Sequence, residues 1–205
     1  TVIAEEETAA SIHNVEMGMY LVVADEVQSA YYTYSFTPYL LAVPNNYYYD
    51  NGSDDWIYNI TSGLKPEQTE RYGDLVINKT LSSYNATLGD ASFVFQVEAT
   101  GLNGDTVYSD VVSLVFDAAG TKSVTIENIP AGAQVTVTEV YSGASYSLTA
   151  DTAQTQQVQI VADGEEGAPV SVSFENEYNE SLNGGSSVEN HFNYTEPADP
   201  ADTGT

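Results

Sequence analysis

The chain contains no cysteine among its 205 residues. Disulfides and thiolate metal sites are therefore excluded, and any covalent reinforcement has to come from other side chains. Basic residues are almost as scarce. Lys65, Arg71, Lys79 and Lys122 stand against thirty Asp and Glu, for a formal net charge of −26. Phosphate binding needs clustered Lys and Arg, so nucleic acid is disfavoured as a partner, and so is an anionic membrane surface. The acid excess reads instead as solubility at high local density, or as a surface outside the cell. No run approaches 18 apolar residues, so no segment is expected to span a membrane as a helix. Nor is there a sustained 3.6-residue period, which removes amphipathic helices from the candidate elements.

What is present is β pattern. Alternating runs such as "GMYLVVAD", "YYTYSFTPYLLAV", "WIYNIT", "DLVINKTL", "SFVFQVEAT", "VVSLVFD", "QVTVTEV" and "PVSVSFENEY" are rich in Val, Ile, Thr, Tyr and Phe. Gly, Asn, Asp and Pro separate them. Short strands at this spacing predict an all-β protein built from antiparallel, Ig-like sandwiches. The polar stretch "PEQTERYG", residues 66–73, marks a boundary. Residues 1–70 then read as a partial β-domain of four or five strands, and residues 71–180 as one sandwich of about eight. Residues 181–205, polar with Gly and Pro, read as a tail or linker. The opening "TVIAEEETAAS" reads as the interior of a longer precursor.

Three polar residues stand in the wrong phase. In "GDLVINKTL", Leu75, Ile77, Lys79 and Leu81 share one strand face. In "QVTVTEV", Glu139 shares a face with Val135 and Val137; in "PVSVSFENEY", Asn176 shares one with Val170, Val172 and Phe174. Each residue alone has a plain reading: a lysine snorkelling from a strand end, a glutamate before a turn, a turn asparagine. Together they supply an amine, a carboxylic acid and a carboxamide to one core. Burial favours the neutral, nucleophilic form of an amine and the protonated form of a carboxylic acid. Such an acid can donate to the carboxamide oxygen and shuttle a proton while the amine attacks the carbon. The product is an amide, and ammonia leaves. No cofactor is needed, because the fold holds the reactants together.

These segments carry a family resemblance. "LVINKTL", "SFVFQVEATG", "VTVTEVYSGASYSLT" and "VSVSFENEYN" resemble, in order and spacing, the collagen-adhesin B-type (CnaB) domain of Gram-positive surface proteins and pilins. The likeness covers residues 74–179. It implies an Ig-like sandwich with Lys79 and Asn176 joined by an isopeptide bond and Glu139 as the catalytic acid. Upstream, "GMYLVVAD", "PYLLAVP" and "WIYNITSGLK" are similar to strands of N-terminal domains in SpaA-type shaft pilins, with Trp56, Ile60 and Lys65 at matching offsets. There the lysine is the one that sortase joins to the next subunit. In this chain Gly63 and Leu64 stand where that family has Tyr-Pro, Pro66 follows the lysine, and L-P-x-T-G is absent.

The resemblance implies a structural pilin or adhesin subunit at the cell surface or cell wall. Its partners would be neighbouring subunits or a host surface ligand, with sortase acting on Lys65. It would turn over no substrate; the bond forms once. The alternative is a glycan- or matrix-binding sandwich of a larger surface protein, using the tyrosines of "YYTYSFTPY" and "YYYD" as stacking surfaces. Asp50, Asp54 and Asp55 in "DNGSDDW" are weak calcium candidates, since calcium favours clustered oxygen ligands. Their spacing does not fit an EF-hand loop, and an acidic hairpin tip is the plainer reading. No other metal or cofactor site is expected.

Overall fold

The alternating runs become strands wherever a second run can hydrogen-bond alongside them. In the computed structural model, which describes residues 10–45, 56–143 and 145–180, thirteen strands form, and the only helical turn is a 3₁₀ turn at Ala86–Leu88. The upstream part contributes β1 (Gly18–Val22), β2 (Val27–Gln28), β3 (Tyr32–Phe36), β4 (Tyr39–Val43) and β5 (Pro66–Glu70). Antiparallel pairing joins β1 to β4, and β2-β3-β5 make a separate three-stranded sheet. Among the described residues, β1 and β4 pair with no other strand, and Met19, Leu21 and Leu40 are exposed on that ribbon.

One expectation changes here. "WIYNIT" reads as a strand from its aromatic and β-branched residues, yet it makes only an isolated bridge, Asn45 with Ile57. Composition supplies strand propensity, but a strand also needs a neighbour to complete its ladder. The polar stretch 66–73 is almost wholly strand. β5 lies at the edge of its sheet, fully exposed, with Pro66 as its first residue. Those are positions that polar residues and proline tolerate in a sheet.

The remaining eight strands form the sandwich: β6 (Tyr72–Leu81), β7 (Ala91–Thr100), β8 (Thr106–Phe116), β9 (Gly120–Pro130), β10 (Gln134–Tyr141), β11 (Tyr146–Leu148), β12 (Thr155–Gln159) and β13 (Val170–Tyr178). One sheet has the order β12-β10-β7-β8, the other β11-β13-β6-β9. Period-2 alternation sends Leu75 and Ile77, Phe93 and Phe95, Val135 and Val137, and Val172 and Phe174 into the space between them. Each such buried side chain contributes roughly 1.5–3 kcal/mol. Every sandwich pair is antiparallel except one. β13 lies parallel to β6, with Phe174 opposite Lys79 and Asn176 opposite Leu81. A parallel neighbour needs a long connection, and the first and last strands of the sandwich have almost all of it between them.

A glycine fixes how β6 enters the sandwich. A Cβ on Gly73 would lie 1.9 Å from the Val161 carbonyl oxygen and 3.0 Å from its carbon. That carbonyl is backbone and cannot swing aside, and the Ile160 Cγ2 methyl lies 3.1 Å away as well. Gly73→Ala is therefore expected to destabilise the protein by about 1–3 kcal/mol, as overpacking does. Thermal unfolding checks this, and an unchanged melting temperature would show that the β6–Val161 contact relaxes freely.

Candidate functional site

Lys79, Glu139 and Asn176 meet in the middle of the sandwich. Lys79 and Asn176 project from adjacent strands of one sheet, β6 and β13; Glu139 reaches across from β10 in the other. Lys79 and Asn176 have no solvent exposure, and Glu139 has 3%. The hydrogen bonds close a triangle. Lys79 Nζ donates to Glu139 Oε2 at 2.7 Å and also to Asn176 Oδ1. Asn176 Nδ2 donates to Glu139 Oε1 at 2.7 Å. Among the described residues no buried side-chain polar atom is left without a partner.

This arrangement differs in one respect from the sequence expectation, which has Glu139 donating to the carboxamide oxygen. Here Glu139 meets the amide nitrogen, and the lysine occupies the carboxamide oxygen. The reason lies in donor supply. A carboxylate beside an ammonium only accepts, so its second oxygen takes the amide N–H, and Oδ1 takes another N–H of Lys79.

Aromatic rings wall the triangle on the β7 side. The Phe93 ring centroid is 4.3 Å from Lys79 Nζ, and the Phe95 centroid is 6.0 Å away. Phe95 packs in turn on Phe174, with centroids 5.1 Å apart. A search for reactive groups in the sequence does not single out either phenylalanine, although the alternation in "SFVFQV" places them on one face. Their effect on the amine is mixed, because a ring face attracts a cation while an apolar wall keeps water out. Burial is the dominant influence, and it holds the Lys79 amine below its ordinary value. The hydrogen bond and charge of Glu139 oppose that shift, as does the charge of Glu175.

Energetically the unreacted triangle is poor. Two opposite charges out of water seldom recover their desolvation cost, and removing one partner alone costs about 3–5 kcal/mol. What the site offers is chemistry: an amine with a lowered proton affinity, held against a carboxamide, with one carboxyl group touching both nitrogens.

The other candidates are placed less informatively. Lys65 is exposed, immediately before β5. Asp50, Asp54 and Asp55 lie outside the described residues, as do Tyr47–Tyr49 and the expected tail at 181–205. Within the described residues no group of three or more His, Cys, Asp or Glu is placed to hold a metal ion. Tyr32 and Tyr34 are half-buried, with ring planes tilted by 55° and centroids 6.4 Å apart. They do not form the coplanar row that stacking on a sugar would use. Among the described residues no helix is long and apolar enough to cross a membrane.

No curated protein matches the chain. Solved structures match at low similarity. The pilus-presented adhesin Spy0125 (Cpa) is 15% identical with a TM-score of 0.35; the match covers 52% of this chain and 27% of that one. The chain thus spans little more than a quarter of that adhesin's length. A bacterial adhesin from Mobiluncus mulieris containing intramolecular disulfide, isopeptide and ester bond cross-links is 17% identical, with a TM-score of 0.36 and coverage of 75% and 60%. The minor pilin of Streptococcus agalactiae is 15% identical, with a TM-score of 0.33 and coverage of 89% and 67%. A family model described as "Domain of unknown function (DUF5979)" matches residues 75–179, from the second buried position of β6 to the residue after β13. That span is just over half the chain and includes Lys79, Glu139 and Asn176, and the chain belongs to this family.

Proposed function

We propose that the chain is a structural cell-surface subunit, a pilin or adhesin, whose sandwich is closed by an autocatalytic isopeptide bond between Lys79 and Asn176. The observation that carries this reading is the buried triangle. An amine, a carboxyl and a carboxamide from three strands converge at hydrogen-bond distance, with no solvent to compete. The CnaB-type resemblance of residues 74–179 supports the assignment of roles.

The ammonium–carboxylate pair first exchanges one proton along the 2.7 Å contact between Nζ and Oε2. Burial favours this, since it replaces two charges by two neutral groups. The amine then attacks Asn176 Cγ. Glu139 delivers its proton to Nδ2 through Oε1, which faces that nitrogen at 2.7 Å, and takes the proton released by Nζ. The Nζ–Cγ bond forms, the Cγ–Nδ2 bond breaks, and ammonia departs. Counted from the amine–acid form, Glu139 ends protonated as it began. Proximity lowers the barrier because all three groups are held by strands rather than loops.

In this reading the protein works outside the cell, and its partners are neighbouring subunits or a surface ligand. The exposed amine of Lys65 is available to a sortase, which the shaft-pilin resemblance implies. The experiment that tests the core of the proposal is an intact mass of the purified chain. It is expected to be one ammonia lighter than the sequence, with peptides around residues 79 and 176 recovered as a single branched species. A mass equal to that of the unmodified sequence would overturn it.

A further inference from the structure

We propose that Gln154 is a positioning residue for the bond-forming reaction, acting through the backbone of Glu139. The inference rests on the Lys79–Asn176 reading above. Glu139 occupies an insecure place in its sheet. On one side it pairs with Phe95, but the next rung joins Tyr141 to Val94, so Val140 is a bulged extra residue. On the other side, the last rung between β10 and β12 joins Thr138 to Thr155. Glu139 is therefore the last in-register residue against β7 and stands one residue past the last rung against β12. A bulge there re-aims the side chains around it, and it also loosens the strand that carries them.

Gln154 closes the loosened side. Its backbone oxygen accepts from Glu139 N at 2.9 Å. Its side-chain Nε2 donates to Glu139 O at 3.1 Å, in the place where a further rung would supply a backbone N–H. One residue thus satisfies both backbone groups of the proton shuttle. The loop that carries Gln154 is tied to the opposite sheet as well. Thr149 N donates to Glu175 O at 3.0 Å, beside Asn176, and Thr152 N donates to Thr149 O at 3.0 Å. The same short loop therefore touches the backbone of the acid on one sheet and the neighbour of the carboxamide on the other. Two hydrogen bonds of 2.7 Å, accepted by one carboxyl group from two nitrogens, demand that these backbones be held in register.

The variant Gln154→Met keeps the side-chain length and removes the donor. Chains made by cell-free synthesis can be sampled over time by intact mass, which reads ammonia loss directly. Gln154→Met is expected to lose ammonia about fivefold more slowly than the parent, the effect of one neutral hydrogen bond. Gln154→Arg places an Nε–H the same number of bonds from the backbone, and it is expected to restore the rate. Thr155→Val serves as the structural control. It removes the 3.0 Å contact between Thr138 and Thr155 hydroxyls on the adjacent rung without touching Glu139, so its rate should match the parent's. Equal slowing by Thr155→Val and Gln154→Met would reduce Gln154 to general support of β12 and overturn the proposal. So would an unchanged rate in Gln154→Met, or failure of Gln154→Arg to recover it. A parent chain that loses no ammonia would instead sink the Lys79–Asn176 reading on which this one depends.

Discussion

Glu139→Ala should fold and yet retain the full mass of its sequence. The substitution leaves the nucleophile and the carbon it attacks in place and removes only the group that touches both nitrogens. It also makes the amine more available. Desolvation by burial stays, while the hydrogen bond and the charge that raise the proton affinity of Lys79 are lost. A lysine left more often neutral, but unable to complete the reaction, separates nucleophile supply from proton transfer. General acid–base catalysis is typically worth about 10²–10⁴-fold, so bonding should fall from complete to undetectable within a normal preparation. Glu139→Gln should behave in the same way, since it keeps the size and hydrogen-bonding capacity but has no transferable proton. If either variant lost ammonia as fast as the parent, Glu139 would not be the shuttle. The unlinked Glu139→Ala protein should also show a characteristic pH dependence. Lys79 titrates in the folded state below its ordinary value of 10.5, so the unfolded chain binds more protons between the two values. Stability therefore rises with pH across that window and levels off above 10.5.

The triangle was legible in the sequence because strand phase is a local property. Once Leu75 and Ile77 face inward, Lys79 must too, and the same holds for Glu139 after Val135 and Val137. Phase also failed at one point. Strict alternation would bury Tyr141, but the bulge at Val140 leaves both of these residues exposed. That bulge is set by the partner strand β7, and nothing in "TEVY" announces it. Gln154 was invisible for a related reason. It lies in the polar run "DTAQTQQ", where no apolar neighbours define a face. Its importance comes from where a ladder stops. The parallel pairing of β6 with β13 likewise joins residues about a hundred positions apart, and turn chemistry carries no record of it. Upstream, "WIYNIT" shows the opposite error, with strand composition present and only a single bridging rung formed.

Preventing the bond should cost the sandwich a large share of its stability. Lys79 and Asn176 are 97 residues apart in sequence and sit on the first and last strands of the sandwich. By analogy with disulfides, closing a loop of about 100 residues removes unfolded-state entropy worth about 4.7 kcal/mol. Typical net stabilities are only about 5–15 kcal/mol. Lys79→Ala should lose more than the crosslink alone, because it leaves Glu139 buried without its cation, a further cost of about 3–5 kcal/mol. The double variant Lys79→Met/Glu139→Leu avoids that second cost and leaves, beside the lost bond, only the neutral Asn176 carboxamide without its partners, about 1–3 kcal/mol. Its melting temperature is expected to fall by roughly 20 °C or more, at about 4–8 °C per kcal/mol for a domain of this size. Denaturant titration supplies an independent mark of mechanism. A crosslinked unfolded chain exposes less surface, so the dependence of stability on denaturant should be steeper in the double variant than in the parent. Proteolysis should follow the same order. The chain offers trypsin only Lys65, Arg71, Lys79 and Lys122, so a protease cutting after apolar residues is the informative probe. The placement of the bond matters for force as well as for heat. With the proposed bond in place, tension that enters through Tyr72 and leaves through Tyr178 would cross from β6 to β13 at the Lys79–Asn176 link, and the strands between would not be pulled apart. An amide also resists reduction, which suits a chain that has no cysteine to oxidise. Parent and double variant melting together, with the bond confirmed in the parent by mass, would leave the chemistry standing and remove its mechanical purpose.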